Sequence, residues 1–349
     1  MVLEINFNYS PKMLRYLVEL GVFRQERFSL IDVGCSGGIH PAWRLFKDQL
    51  EAYGFDPKKA ECARLSKEEE NPNMKYFACW VGLDEDHEFL KQKKAQESEN
   101  PAIYSYFNQS KRTSSWSALQ SEGRPGDQPS AETAPAQEDL SDQRISIAQF
   151  VKRAGIQNID MIKIDTDGSD LEVAVSCQDM LCECNVLGFM IESRYYGSFH
   201  DTVSNFANID RFMRQNGFCL YAMSVHCYSR ADLPMQFEYP LLASTVSGQP
   251  KWGDLVYFRD AASPEYSRIW DSELSTVKLL KLACAFELFS LPDCAAELIN
   301  KYSGKIAEVI NPTELLDRLT PPLDGVIASY EEYTRRFREN PYSFYPKNR

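Results

Sequence analysis

The chain has 349 residues, a formal net charge of -12 and 44% hydrophobic residues, which is the composition of an ordinary globular protein. This length allows one large domain or two, each with a substantial core. The acidic balance argues against a nucleic-acid partner and against an anionic membrane surface. No stretch approaches the roughly 20 apolar residues that span a bilayer. Residues 1–7 carry no secretory signal pattern and the 10 cysteines no zinc-like spacing, so we expect a cytoplasmic protein with reduced thiols.

The first predicted element is a helix over residues 11–23. Its apolar residues recur at helical spacing and form one stripe, made of Leu14, Leu17, Val18 and Val22. We expect residues 1–28 to be a helical segment that covers a sheet edge or closes over a ligand.

Residues 29–38, with the sequence S-L-I-D-V-G-C-S-G-G, join a short apolar run to a glycine-rich turn. Such a run is typical of a buried strand in a parallel sheet. The glycines let the backbone turn tightly and approach a ligand closely. Residues 39–50 predict a helix, which completes the strand–turn–helix opening of a nucleotide-binding α/β unit, with the ligand at the carboxyl end of the strand.

The turn does not match the dinucleotide fingerprint G-x-G-x-x-G, because Ser36 and Ile39 stand at the two later glycine positions. Asp32 inside the strand is also a poor neighbour for a pyrophosphate. The pattern favours a ligand with a cationic amino-acid end and no phosphate, and S-adenosylmethionine is such a ligand. The candidate contacts in this segment are Asp32, Gly34, Cys35, Ser36 and Gly37.

The second predicted strand, residues 50–56, ends at Asp56 immediately before Pro57. A carboxylate at that point can accept hydrogen bonds from both hydroxyls of a ribose. Asp56 could also be only a turn residue before proline. The third predicted strand, residues 74–81, would place Trp80 and Val81 beside an adenine, unless both are simply core residues.

The α/β pattern weakens over residues 84–142, which we interpret as an insertion. Its last part, residues 122–142, is rich in Pro, Gly, Ser and acidic residues and predicts a long loop. The aromatic and basic stretch 104–119 would form either a lid over the substrate or a hairpin packed on the domain. Ser115 and Trp116 in this stretch are therefore candidate substrate contacts.

Two later strands carry charged residues at their carboxyl ends. Residues 158–165 predict a strand with Lys163 and Asp165 on the same side, and residues 186–192 predict a strand that ends in Glu192. A lysine within an apolar strand is costly unless it is paired, and Asp165 or a neighbouring acid is its expected partner.

Residues 217–226 and 254–259 predict two closing strands. They complete a seven-stranded Rossmann-like α/β sheet over residues 29–260. The pattern of residues 261–349 predicts a helical extension, within which Asn311 would cap a helix that begins with a proline. This extension would form a wall of the substrate site or a partner surface through which copies of the chain form a homo-oligomer.

Taken together, these segments resemble the FkbM family of S-adenosylmethionine-dependent methyltransferases over residues 29–195, and less closely to residue 260. The resemblance rests on D-V-G-C-S-G-G (32–38), Y-G-F-D-P (53–57), A-C-W-V-G (78–82), T-S-S-W-S (113–117), I-D-M-I-K-I-D-T-D-G-S-D-L-E-V (159–173) and G-F-M-I-E (188–192). It implies a class I methyltransferase fold and O-methylation of a hydroxyl on a sugar, a glycan or a small metabolite. Asp167 and Asp170 depart from the family, which usually has glutamate at both positions.

Methyl transfer requires the acceptor oxygen to be aligned with the methyl group and the hydroxyl proton to be removed. The candidate catalytic residues implied at the strand ends are Lys163, Asp165, Asp167 and Glu192. In one arrangement a carboxylate is the base, and Lys163 holds it ionised or orients the alkoxide. In another, Asp165 and Glu192 share a divalent cation that lowers the pKa of the hydroxyl. The alternative is a structural ion pair of Lys163 with Asp165 or Asp167.

A second role for Asp165 and one further residue complete the set of candidates. Asp165 is also expected to contact the cofactor, and His200 follows the fifth strand closely enough to face a substrate. The rival functions are a nicotinamide oxidoreductase and a non-catalytic binding protein that keeps the cofactor fold. The failed glycine fingerprint and the lack of a Tyr-x-x-x-Lys pair disfavour the first, and the intact pattern of Asp32, Gly34, Asp56 and Lys163 disfavours the second.

Overall fold

The structure is a computed structural model, which describes residues 4–99, 144–229, 236–237, 244–271, 273–323 and 325–344. The candidate contacts Ser115 and Trp116 and the predicted loop 122–142 lie outside these residues. The chain divides into two compact units. Unit 1 comprises Met1–Ile5, Ser29–Ile39 and Leu50–Asp260, and unit 2 comprises Asn6–Phe28, His40–Gln49 and Ala261–Arg349.

The strands of the described residues follow one another along the chain as β1 (Phe28–Val33), β2 (Leu50–Asp56), β3 (Met74–Ala78), β4 (Trp80–Val81), β5 (Arg144–Ile145), β6 (Met161–Ile164), β7 (Gly188–Arg194), β8 (Phe218–Met223), β9 (His226–Tyr228), β10 (Ser244–Thr245) and β11 (Gln249–Arg259). Nine of them form one sheet of order β10-β9-β11-β7-β6-β1-β2-β3, in which β8 also pairs with β11. The remaining two strands, β4 and β5, form a separate pair.

The helices of the described residues are α1 (Lys12–Glu19), α2 (Lys59–Glu68), α3 (Glu88–Glu99), α4 (Ile147–Ala154), α5 (Asp170–Val175), α6 (Phe206–Gln215), α7 (Tyr266–Ile269), α8 (Thr276–Leu288), α9 (Pro292–Lys301), α10 (Ser303–Ile306), α11 (Pro312–Leu319) and α12 (Tyr330–Glu339). Short 3₁₀ segments occupy Trp43–Gln49, Gln178–Met180 and Pro341–Phe344. Among the described helices, none is both long and apolar enough to cross a membrane.

The main sheet confirms the predicted Rossmann-like α/β fold. Strands β1, β6 and β7 run parallel to one another, as do β2 and β3, while β11 is antiparallel to β7 and β8. All six residues of β1 are buried, as expected for the centre of a parallel sheet. The predicted count of seven strands is wrong, because the short strands β9 and β10 extend the sheet beyond β11.

The predicted third strand breaks in two at Cys79. The backbone N–H of Cys79 donates to the carbonyl oxygen of Asp56 at 3.2 Å, where β2 ends. After this bond the chain leaves the main sheet, and Trp80 and Val81 pair with Arg144 and Ile145 instead. The side chain of Trp80 is 61% exposed, so the interpretation of Trp80 as a core residue is wrong.

The helix predicted over residues 39–50 is also wrong. Only Trp43–Gln49 is helical, as a 3₁₀ segment, and Lys47 interrupts it with a φ of 55°. The segment is held by its aromatic side chains, since Trp43 and Phe46 stack on Phe28 within unit 2. Packing of these rings, rather than helical periodicity, sets the local backbone.

Unit 2 is organised around α8, in which every residue from 278 to 288 is buried. A helix that is apolar on all sides belongs in the centre of a bundle. Two of its buried charged residues are paired within the unit. Lys281 donates to Glu26 at 2.9 Å and to the carbonyl of Arg27 at 2.7 Å, and Glu287 accepts hydrogen bonds from the start of α1. The predicted cap by Asn311 is confirmed, because its side chain accepts from the N–H of Thr313.

Replacement of Glu287 by alanine is expected to destabilise unit 2. Its carboxylate accepts from the N–H groups of Met13 at 3.0 Å and Leu14 at 2.8 Å, which begin α1 and have no partner within the helix. Loss of two hydrogen bonds to a buried charged group should lower the free energy of unfolding by about 2–4 kcal/mol. Urea denaturation measures the loss. The exposed Glu297 of α9 is the control, and an equal loss in Glu297→Ala would contradict the capping role.

Candidate functional site

The turn after β1 is rigid on one side and open on the other. Gly34 has a φ of 83°, and the N–H groups of Gly34 and Cys35 donate to the carbonyl of Phe55 at 2.8 and 3.1 Å. A Cβ atom on Gly34 would lie 1.8 Å from the carbonyl oxygen of Asp165. By contrast, a Cβ on Gly37 would meet nothing within 4 Å, and both Ser36 and Gly37 are exposed. The turn therefore packs the end of β1 against the end of β6 and leaves residues 36–37 accessible.

The side chain of Lys163 links β6 to β1 next to this turn. Its Nζ lies 3.2 Å from Asp32 and 3.2 Å from Asp165, and it donates to the carbonyl of Gly34 at 3.1 Å. Burial lowers the pKa of Lys163, but the attraction of Asp32 and Asp165 outweighs it, so the pKa is raised and the side chain stays charged. The predicted pair with Asp165 is confirmed, whereas the pair with Asp32 was not predicted. A catalytic role for Lys163 stays a prediction.

Asp32 is 3% exposed and lies opposite Lys163 in the β1–β6 pair. Burial raises the pKa of Asp32, and Lys163 opposes this rise. The carboxylate of Asp32 therefore depends on Lys163 for its charge. Because Lys163 also donates to the carbonyl of Gly34, the pair helps to hold the turn after β1 in place. A direct contact of Asp32 with a cofactor stays a prediction.

Asp56 ends β2 and is 6% exposed. Its Oδ1 accepts from the N–H of Lys58 at 2.8 Å, so it forms the turn that was the alternative interpretation. This bond orients the carboxyl group without using its second oxygen, and its role toward a ribose stays a prediction. Pro57 is half-buried beside it, and Val81 is half-buried in β4.

Three acidic residues lie level with one another at the neighbouring strand ends. Asp165 follows β6 directly, Glu192 lies near the end of β7, and Asp254 is the register partner of Glu192 on β11. Burial, followed by the charges of nearby acids, raises the pKa of Glu192 to about 8. Burial and Asp165 raise the pKa of Asp254 to about 6, while Lys163 opposes that rise.

Sequence reasoning missed Asp254. The signal was present, because Asp254 opens the otherwise apolar run L-V-Y-F, just as Lys163 interrupts an apolar strand. Its position beside Glu192 follows from the antiparallel register of β7 and β11, which the sequence does not show.

The loop between β6 and α5 is stabilised by hydrogen bonds to one of its acidic residues. Asp170 is 2% exposed and accepts from the N–H groups of Thr166 at 2.8 Å and Gly168 at 3.1 Å. Burial raises the pKa of Asp170, and the hydrogen bonds from Thr166 oppose the rise. Asp167 has a φ of 55°, and its carbonyl accepts from the guanidinium of Arg194. The loop thus holds Asp167 near Glu192, and a catalytic role for Asp167 stays a prediction.

His200 is only 7% exposed, with its N–H donating to Ser198 Oγ at 3.2 Å and its carbonyl accepting from Asn208 at 2.7 Å. These bonds hold it inside a loop, and a contact with substrate stays a prediction. No group of three or more His, Cys, Asp or Glu side chains in the described ranges is arranged to hold a metal ion. The cation shared by Asp165 and Glu192 likewise stays a prediction.

The structure therefore brings most of the candidate residues to one edge of the sheet of unit 1. That edge contains the turn 34–37, Asp56, Lys163, Asp165 and Glu192, to which the structure adds Asp254. Trp80, with its exposed ring, stands on the separate strand pair, and Ser115 and Trp116 lie outside the described residues.

Comparison with known proteins gives two findings. The family model described as the methyltransferase FkbM domain matches residues 37–220. Among solved structures, the chain is similar to magnesium protoporphyrin IX methyltransferase (ChlM) from Synechocystis PCC 6803 with bound SAM, at 13% identity and a TM-score of 0.27, covering 71% of this chain and 79% of that chain. No curated protein matches the chain. Because the family model covers more than half of the chain, the protein belongs to the FkbM methyltransferase family.

Proposed function

We propose that the protein uses S-adenosylmethionine to methylate a hydroxyl group of a sugar, a glycan or a small metabolite, and that the cofactor binds at the carboxyl ends of β1 and β2. Membership of the methyltransferase family supports the reaction class. When bound, S-adenosylmethionine supplies a methyl group activated by the positive charge on its sulfur. The nature of the acceptor follows from the family resemblance alone.

The turn after β1 fits the cofactor because its backbone is both fixed and accessible. Gly34 is locked against Asp165, and the space beside Gly37 would hold a Cβ without contact. A ligand can therefore approach the backbone at residues 36–37 closely, beside the Glu61 carboxylate to which the Gly37 N–H donates at 2.9 Å. This juxtaposition is the observation on which the proposal chiefly rests.

The charges at the same edge also fit the cofactor. Asp32, Asp165 and Asp254 all interact with Lys163, so among the described residues of this edge the carboxylates outnumber the lysine, and the edge favours a cation over an anion. The ligand carries an ammonium group and a sulfonium, and it has no phosphate. Asp56 at the end of β2 offers a carboxylate oxygen to the ribose hydroxyls.

The chain's own contribution to the reaction is to orient the acceptor and remove its proton. Lys163 holds Asp165 in position, and Glu192 lies one strand further along the same face. A carboxylate whose pKa is raised can serve as a general base at neutral pH. The carboxylates at these strand ends are therefore the candidates for the base.

Calorimetry with S-adenosylhomocysteine tests the proposal. We expect wild-type protein to bind with micromolar affinity, and Asp56→Ala to weaken binding about 10- to 100-fold, because one or two hydrogen bonds to a charged acceptor are lost. The exposed Asp179, also in unit 1, provides the matched control Asp179→Ala, which should bind like wild type. If wild-type protein binds NADH and not S-adenosylhomocysteine, the proposal is wrong.

A further inference from the structure

Helix α12 of unit 2 is anchored at its start and exposed along the rest of its length. Ser329 caps the helix by accepting from the N–H of Glu332 at 3.2 Å. The N–H of Tyr330 donates to Asp317 at 2.7 Å, and the hydroxyl of Tyr330 accepts from Asn300 at 2.9 Å. None of the residues of α12, all of which the structure describes, is buried. The helix is therefore fixed at one end and offers most of its surface to another molecule.

Aromatic side chains form a stripe along α12. Tyr330, Tyr333 and Phe337 recur at the spacing of one helical face. The ring of Phe344 packs on this stripe, with its centroid 5.1 Å from that of Tyr333 and 5.3 Å from that of Phe337. Phe337 is nevertheless 50% exposed, and Tyr342 beside it in the chain is 80% exposed. Because a short helix owes most of its stability to the packing of its apolar face, this stripe calls for a partner.

The charged side chains of α12 fall into two groups. Four of them are ion-paired with one another on the side of the helix away from the stripe, namely Glu332, Arg335, Arg336 and Glu339. The other two, Glu331 and Arg338, flank the stripe, and the described residues provide neither side chain with an ion-pair partner. Since they are seven residues apart, Glu331 and Arg338 project from the same side of the helix about 10 Å from each other.

We propose that α12 is the contact surface between two copies of this chain, which pair with their α12 helices antiparallel and their aromatic stripes face to face. A two-fold axis brings the start of one helix to the end of the other. Glu331 then faces Arg338 of the second copy, and the same pair forms again with the roles exchanged. A parallel arrangement would place like charges side by side, which is unfavourable. The proposal concerns unit 2 and does not depend on the proposed function.

The size of the surface indicates a weak dimer. The 10 residues of α12 form a helix about 15 Å long, whereas a standard interface buries about 800 Å² of each partner. Val326 and Ile327, both strongly exposed, extend the apolar surface just before the helix. We therefore expect two copies to associate reversibly at micromolar concentrations.

Sedimentation equilibrium of the full chain tests the proposal. We expect wild-type protein to form a dimer with a micromolar Kd. Glu331→Arg and Arg338→Glu should each weaken the dimer by about 10-fold or more, because each change sets like charges against each other at both symmetric positions. The two variants mixed in equal amounts should associate about as tightly as wild type, since each copy then meets the opposite charge of the other. The double variant Glu331→Arg/Arg338→Glu should recover in the same way.

Two further variants complete the test. The exposed Glu308, also in unit 2 but outside α12, provides the matched control Glu308→Arg, which should dimerise like wild type. Phe337→Glu places a charge in the aromatic stripe and should abolish the dimer. Thermal unfolding of each variant, which should match that of wild-type monomer, shows that the fold is kept.

The proposal is overturned if wild-type protein is monomeric over the whole concentration range, and the stripe then belongs to the contact with a different protein. It is equally overturned if the dimer persists unchanged in Glu331→Arg, Arg338→Glu and Phe337→Glu. Failure of both the mixture and the double variant to associate would contradict the antiparallel pairing of Glu331 with Arg338.

Discussion

Gly34→Ala should abolish measurable binding of S-adenosylhomocysteine and destabilise unit 1. The added Cβ would lie 1.8 Å from the carbonyl oxygen of Asp165, and the φ of 83° is one that alanine adopts only under strain. The strain costs about 1–2 kcal/mol and the overlap with backbone about 1–3 kcal/mol more, so we expect a total of about 2–5 kcal/mol. Movement of the turn away from Asp165 would strain its bonds to the carbonyl of Phe55. Urea denaturation and calorimetry measure the two effects.

Gly37→Ala is the matched control for stability. Gly37 has nearly the same φ, 86°, but its Cβ would meet nothing within 4 Å. Gly37→Ala should therefore lower the free energy of unfolding only by the cost of holding alanine in a left-handed backbone conformation, about 1–2 kcal/mol. Equal losses in Gly34→Ala and Gly37→Ala would show that the close approach of Gly34 to Asp165 is not what fixes the turn.

Lys163→Met should destabilise the protein by about 3–5 kcal/mol, because it leaves the buried carboxylate of Asp32 without its counter-charge. It also removes the hydrogen bond to Gly34 and should weaken S-adenosylhomocysteine binding. The loss should shrink at low pH. In the variant the folded-state pKa of Asp32 lies above its unfolded-state pKa, so the cost is present above both values and disappears below them. Urea denaturation at neutral and acidic pH measures it.

The double variant Asp32→Asn/Lys163→Met separates the buried charge from the lost packing of the lysine stem. It keeps the shape of Asp32 but removes its charge, so it should recover most of the stability that Lys163→Met loses. If the double variant is as unstable as the sum of the two single variants, Asp32 and Lys163 do not act as a pair.

Local patterns were enough to predict most of the sheet. The run L-E-A-Y-G-F-D predicts β2 with the bounds that the structure has, because apolar residues and a terminal Asp-Pro mark both ends. The third strand could not be placed correctly, since its break depends on a bond between Cys79 and the end of β2. Strands β9 and β10 have three and two residues and no pattern of their own. They exist through pairing with β11 and with each other.

The candidate site was predictable to the extent that its residues are neighbours in sequence. The pair of Lys163 with Asp165 follows from strand periodicity and from the cost of an unpaired lysine. The contacts of Lys163 with Asp32 and of Gly34 with Asp165 depend on the register of β1 and β6, which are far apart along the chain. Asp254 was missed for the same reason, because only the β7–β11 register places it beside Glu192.

A crystal structure of the protein with S-adenosylhomocysteine would show whether the cofactor binds at the carboxyl ends of β1 and β2. We expect the amino-acid end of the ligand against the backbone of residues 36–37 and a ribose hydroxyl within hydrogen-bond distance of Asp56. A ligand bound away from both, or a crevice between the turn and Asp56 filled by the protein's own side chains, would contradict it.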